Sequence, residues 1–291
     1  MYLCTQDIIL MKTVKKVIPS HRKSLGEGQW VMSPLPNEWV QQISPFIMLD
    51  HFGPNHIPAG KPFSVPPHPH RGFEPVTILF EGEVEHKDSE GNNGHIKGGD
   101  VQWMTAGRGI IHSETAPKSF GETGGTMHLI QLWVNLPKKD KMSAPKYQDI
   151  PSTKIPVVNH KNATLRVIAG SFEDVVGPTE TFTPILLIHG KLNADLTTTL
   201  TIPKGFNSSI FITKGELITD GFTVPEQKLV WFNEENEHIE ITASRDSEFL
   251  LMAGEPIHEP LSSYGPFVMN TKTELIEAIQ DYEAGKMGVL N

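Results

Sequence analysis

The sequence predicts an all-β protein built as two β-barrel halves and closed by a C-terminal helix. Three observations carry that expectation. Twenty-five glycines and 23 prolines punctuate the 291 residues. The apolar residues between them come in brief alternating runs, the mark of short strands joined by tight turns. A Pro- and Lys-rich passage at 137–156 then interrupts the series before it resumes. In the first series, residues 76–80, 101–104 and 127–134 read as strands, set apart by Gly-rich or Asn-Gly turns such as Asn92-Asn93-Gly94. The interruption behaves as connections between domains do. It divides the chain into a first domain at 11–145 and a second at 146–291. In the second series the strands fall at 165–170, 185–188, 209–213, 229–232 and 249–253. Phe80-Glu81-Gly82-Glu83-Val84 and Ile212-Thr213-Lys214-Gly215-Glu216-Leu217 share an apolar, turn, Gly-Glu-apolar order, which relates the halves as a weak repeat. The end of the chain changes period. Thr271-Lys272-Thr273-Glu274 is a capping box, Leu275, Ile279 and Tyr282 share a helical face, and Gly285 supplies the stop. Such a helix packs its apolar face on a barrel.

Charge narrows the function classes. A formal net charge of -9 repels polyanions, so a direct nucleic-acid partner is not expected. The basic cluster Lys12, Lys15, Lys16, Arg22 and Lys23 reads as the solvated face of an N-terminal strand. The single cysteine, Cys4, cannot close an internal disulfide, which suits a reducing cytoplasm. No apolar run approaches a membrane span, and the stretch 8–11 is too short for a signal-peptide core. Met11 offers a second start, which would make residues 1–10 a disordered extension carrying the only cysteine.

The chemistry concentrates in two segments, His68-Pro69-His70-Arg71-Gly72-Phe73-Glu74 and Gly107-Arg108-Gly109-Ile110-Ile111-His112-Ser113-Glu114. Each places two metal-ligand types at i and i+2. In extended chain those side chains share a face with Cα atoms about 6–7 Å apart, so two such pairs on facing strands can converge on one ion. Pro66, Pro67 and Pro69 cannot donate to a ladder and put the first pair at a rim or edge. Gly107 and Gly109 let the second segment bend before His112 and Glu114 turn inward. An isolated histidine is more often a surface or hydrogen-bonded residue, and the chain has 13. On that ground His51, His56, His86, His95 and His128 read as structural or exposed, whereas the paired pattern reads as a metal site. Spacing alone leaves Glu74 in competition with Glu114. Imidazoles plus a carboxylate, without thiolate, suit Fe(II), Mn, Ni, Cu or Zn. Four protein ligands on a six-coordinate ion would leave two positions open for substrate and dioxygen.

These segments, together with Phe46-Ile47-Met48-Leu49-Asp50-His51-Phe52-Gly53-Pro54, Gln102-Trp103-Met104-Thr105-Ala106 and Tyr264-Gly265-Pro266-Phe267-Val268-Met269-Asn270-Thr271, resemble the pirins, a family of the cupin superfamily, from about Val17 onward. The resemblance implies a bicupin, two double-stranded β-helix domains, with one Fe(II) held by His68, His70, His112 and Glu114. The general cupin pattern would use Glu74, so Glu114 rests on the pirin pattern. The second half has Ile202-Pro203-Lys204-Gly205-Phe206-Asn207 where a repeat would place histidines, which implies one metal per chain. Bacterial pirin-like proteins include quercetin 2,3-dioxygenases. The implied activity is therefore cleavage of a flavonol with O2 to a depside and carbon monoxide, with Glu114 as ligand and catalytic acceptor of the flavonol 3-hydroxyl proton. Phe52, Phe73 and Met104 are candidates to cover the flat substrate at the mouth. Animal pirins resemble transcriptional co-regulators, so the alternative is a non-enzymatic iron-binding protein that modulates a protein partner.

Overall fold

The computed structural model describes residues 10–26, 29–61 and 63–290. Cys4 and all but the last residue of the expected extension lie outside them. The first half is a barrel of two antiparallel sheets. One runs in the order Lys146–Ile150, Val101–Thr105, Phe73–Glu81, Gly125–Asn135, Phe46–Ile57, Gln29–Leu35 and His21–Gly26. The other runs Ser64–His70, Ile110–Thr115, Glu83–Asp88 and Asn93–Lys97. Val84 and Ile96 of the smaller sheet pack with Phe52, Leu79 and Leu129 of the larger, closing the barrel around an apolar floor. The second half is a single wound sheet along Val14–Pro19, Lys228–Phe232, Asn207–Thr219, His238–Gly254, Ile185–Leu192, Ala163–Ala169 and Val157–His160. The architecture is the expected bicupin with its C-terminal helix.

Strand parity decides what each face does. Along Phe73–Glu81, Val76 and Ile78 enter a core shared by the two halves, which also holds Trp103, Ile130, Leu187, Phe211 and Leu250. Thr77 and Leu79 face the opposite way, into the first barrel. The same alternation sends Trp103 to the shared core and Gln102 inward, and sends Ile130 and Leu132 to the core and Gln131 inward. The two barrels therefore pack back to back through apolar residues, while one barrel keeps a polar interior.

Two strands pair across the division between residues 145 and 146. Val14–Pro19 joins Lys228–Phe232 in the second sheet, and Lys146–Ile150 joins Val101–Thr105 in the first. The basic cluster sits around this crossing. Lys15 lies 4.0 Å over the Trp231 ring, Arg22 lies 4.1 Å over Trp30, and Lys23 pairs with Asp50 at 2.8 Å. Lys12 departs from the expected solvated face. It is buried, and its ammonium donates to the Asn233 and Glu234 carbonyls at 3.1 and 3.3 Å.

The helix Lys272–Glu283 begins as its sequence requires. Thr271 accepts from the Glu274 amide, and the Glu274 carboxylate accepts from the Thr271 amide at 2.8 Å. Of the expected face, Leu275 is buried and Ile279 packs beside it, while Tyr282 is 40% exposed with its ring centroid 6.3 Å from that of Phe267; Ala278 joins the buried side. The helix packs with Phe267, Met269 and Met287 against Ile111 of the first barrel. Asp281 pairs with the buried Arg71 at 2.9 Å, and Ser89 donates to the Met287 carbonyl at 2.7 Å. No helix among the described residues is long and apolar enough to cross a membrane.

Candidate metal centre

Ser64–His70 is the edge strand of the smaller sheet, the place its three prolines demand. It pairs with Ile110–Thr115 so that His70 faces Ile110 and His68 faces His112. Gly107 and Gly109 precede that second strand with φ of +50° and +129°, a left-handed bend that a side chain would resist. Pairing brings the imidazoles together. One nitrogen from each of His68, His70 and His112 lies within 4.8 Å of the others, the one cluster of its kind among the described residues. Ring centroids are 4.3 Å apart for His68 and His112 and 4.9 Å for His70 and His112.

The hydrogen bonds suit a cation. His68 Nδ1 lies 2.8 Å from the Pro66 carbonyl and must be the protonated nitrogen, since a carbonyl only accepts. Nε2 of His68 is then the nitrogen free to ligate, and it faces Nε2 of His70 at 3.0 Å. His112 Nε2 is buried without a hydrogen-bond partner among the described residues. Burial, reinforced by the neighbouring His68, holds His70 well below the ordinary histidine range, against a smaller opposing effect of the Pro266 carbonyl. Burial and the charges His70, His68 and His86 would carry do the same to His112. Neutral imidazoles with inward lone pairs are the form that binds a divalent metal. The residues present therefore fit the group that the sequence implied.

Glu114 does not join that cluster. Between His112 and Glu114 the register slips against Ser64–His70, so that Glu114 pairs with Val65; the irregularity falls at Pro66 and Pro67, which have no N–H to keep the ladder. The carboxylate is buried and held by neutral donors. Thr77 Oγ1 and Gln102 Nε2 each donate to Oε1 at 2.9 Å, and Gln131 Nε2 donates to Oε2 at 3.2 Å. Glu74 has the wrong parity. It lies on the opposite face of its strand from Thr77, where it accepts from Thr105 at 2.8 Å.

A cavity of about 90 Å³ adjoins His68, walled also by Glu114, Thr77, Gln131 and Phe52. Phe73 and Met104 are not at its mouth. Phe73 is buried against His70 and Trp133, at centroid separations of 5.0 and 4.2 Å, and Met104 packs with Ala106 and Ile110.

Sequence reasoning missed Thr77, Gln102 and Gln131, single polar residues flanked on both sides by apolar neighbours within their strands. It also set His86 aside as lacking a partner. His86 is buried, 3.1 Å from Asp88 through Nε2 and 3.4 Å from His112 Nδ1 through Nδ1. The signal was present: His86 and Asp88 have the same two-residue spacing as the ligand pairs. His51 and His128 satisfy each other at 2.8 Å, with burial lowering them to about 3 and about 4; His95 meets Glu83 at 2.8 Å.

The sequence matches the pirin family over residues 28–134 and the pirin C-terminal cupin domain over residues 187–288. A Pseudomonas aeruginosa protein provisionally named quercetin 2,3-dioxygenase is 41% identical over 271 residues, covering 92% of this chain and 95% of that one. Human pirin is 36% identical over 284 residues, covering 95% and 94%. The crystal structure of a quercetin 2,3-dioxygenase from Acinetobacter baumannii superposes with a TM-score of 0.91 at 40% identity, over 97% of this chain and 100% of that one. A bacterial pirin from Escherichia coli, solved in complex with nickel(II), shares the fold with a TM-score of 0.65 at 22% identity, over 83% and 98%.

Proposed function

The chain belongs to the pirin family, and on that footing we propose that it is a cytoplasmic, Fe(II)-dependent dioxygenase that opens a flavonol such as quercetin with O2, giving a depside and carbon monoxide. The observation that carries the reading is the meeting of three imidazoles, two of them held neutral by burial, beside a cavity whose wall includes His68 and the Glu114 carboxylate. His68, His70 and His112 would hold the metal, with Glu114 as the fourth ligand once its carboxylate turns toward them. A redox-active divalent ion there supplies Lewis acidity toward the flavonol hydroxyl and a route for electrons to O2. The chain supplies the rest. Glu114 is the base for the 3-hydroxyl proton. Its Oε2 has one amide donor, which leaves a lone pair for that proton, while Thr77 and Gln102 steady Oε1. Phe52 and Leu129 give the cavity an apolar side for an aromatic ring.

The size of the cavity favours a second reading. At about 90 Å³ it falls below the roughly 300 Å³ or more typical of pockets that enclose a drug-sized ligand, so a three-ring flavonol requires the mouth to widen. A protein that holds iron and responds to its redox state by modulating a protein partner needs no such widening. Oxygen uptake and loss of quercetin absorbance decide between the two, measured on Fe(II)-loaded protein beside His70→Ala and a metal-stripped sample. The dioxygenase predicts metal-dependent turnover that His70→Ala abolishes. Iron binding without turnover above the stripped sample moves the regulatory reading to the front.

A further inference from the structure

Behind His112 lies a second, fully buried pair that the ligand set does not use. His86 and Asp88 sit on Glu83–Asp88, the strand on the other side of Ile110–Thr115 from the one carrying His68 and His70, with His112 opposite Asp88 and Glu114 opposite His86. Both side chains are 0% exposed. Asp88 is built in firmly. Its Oδ1 accepts from the Glu90 and Asn92 amides at 3.0 and 2.9 Å, and its Oδ2 accepts from the Asn92 side chain at 2.9 Å. Burial alone would push this carboxyl up, but the hydrogen bonds from His86 and Asn92 outweigh it and hold it below the usual range. An ionised carboxylate can only accept, so His86 Nε2 carries a proton toward it at 3.1 Å. With one proton on that ring, at Nε2, His86 Nδ1 is the acceptor for a proton on His112 Nδ1, 3.4 Å away, an arrangement that leaves His112 a bare Nε2. That nitrogen is among the buried atoms with no hydrogen-bond partner among the described residues.

The ring plane of His86 is fixed independently. Tyr147 stacks on it with centroids 4.6 Å apart and planes inclined by 21°. The Tyr147 hydroxyl also donates to Gln102 Oε1 at 3.2 Å, which turns the Gln102 amide nitrogen toward Glu114. One aromatic side chain thus braces the supports of both His112 and Glu114.

We infer that His86, anchored by Asp88 and stacked on Tyr147, is a positioning residue that fixes His112 as an Nε2 donor to the metal. The inference rests on the reading of His68, His70 and His112 as a metal site. Partners of this kind set the tautomer and raise the basicity of a ligand imidazole, and losing them typically costs about 10–100-fold in metal affinity. His86→Phe keeps a ring on Tyr147 but removes the acceptor. Asp88→Asn keeps both imidazoles but removes the charge. His86→Asn returns a carbonyl oxygen near the position of Nδ1.

The test titrates the full-length, metal-stripped protein with Co(II), reading affinity by calorimetry and site geometry from the visible d–d bands. His86→Phe should bind about 10–100-fold more weakly with altered bands, and Asp88→Asn about tenfold more weakly; His86→Asn should recover most of the loss. Leu251→Ala, in the core of the second barrel, controls for lowered stability. If His86→Phe binds Co(II) as the wild type does, or loses no more affinity than Leu251→Ala, the inference is overturned while the metal site stands. If the wild type binds no Co(II), or His70→Ala binds it equally well, the metal-site reading itself fails and this inference with it. Should His86→Phe not fold, Asp88→Asn and His86→Asn carry the same decision.

Discussion

The two barrels differ in what shares the interior with their apolar residues. Strands of the first turn His68, His70, His112, Glu114, Thr77, Gln102 and Gln131 toward one another. The equivalent space in the second is filled by Leu165, Val167, Ile188, Ile210, Leu251 and their neighbours, all buried. Ile202 adds to that core where a repeat of the ligand motif would have placed histidine. An aliphatic interior needs only volume and rotamers to match. A polar one must satisfy every donor and acceptor, and a lone pair left inward is tolerable only if something binds it. The interior of the second barrel is thus given to packing, whereas the first sets a cluster of polar side chains above its apolar floor.

The comparison can be broken most directly in the second barrel. Leu251→Ala leaves a cavity in its core and should lower stability by about 2–5 kcal/mol, read as a fall in the denaturant midpoint, while metal content per chain stays at the wild-type value. Metal lost in step with stability would show that the two interiors do not divide the tasks. Glu74 sharpens the contrast from the first barrel. Burial pushes its carboxyl up to about 7, against the opposing effects of Thr105 and Trp103. Between about 4.5 and about 7 the native state then holds a proton that the unfolded chain has released, so this group's contribution to stability falls as pH rises through that window. The amount is on the order of 3 kcal/mol. Glu74→Gln should flatten the decline, making the variant more stable than wild type at pH 8 and nearly equal at pH 4. An unchanged slope in urea midpoints across that range would remove Glu74 as its source. The smallest effect tests the crossing strand. Lys15→Ala removes a cation from the face of Trp231 and should cost about 0.5–1 kcal/mol in thermal unfolding, with no change at the metal centre.

Much of this was legible in the sequence because strands write their faces in period two. Residues 76–80, 101–104 and 127–134 lie within Phe73–Glu81, Val101–Thr105 and Gly125–Asn135, and the capping box opens the helix as read. His-x-His stood out because both members are ligand types on one face. His86-x-Asp88 obeys the same rule but sits among Glu83, Glu85 and Lys87, where charge disguised a buried pair as a solvated strand. Tyr147 was hidden differently: it belongs to Lys146–Ile150, whose polar residues read as linker until pairing with Val101–Thr105 gave them a sheet to join. Which carboxylate faces the interior of the first barrel turned on parity. Glu74 and Thr77 are three residues apart and so face opposite ways, but no spacing between Glu74 and His112 could reveal that without the register. Long-range pairing is the part that sequence pattern does not record.

The crossing of the chain ends sets a timetable for the molecule. Arg71, next to His70, finds its carboxylate partner 210 residues later, at Asp281. At about 5–20 residues per second, a ribosome takes some 10–40 s to cover that distance. For that interval the strand bearing His68 and His70 exists without its brace, and Val14–Pro19 waits as long for Lys228–Phe232. Shortening the chain from its far end would thus injure the half that was made first.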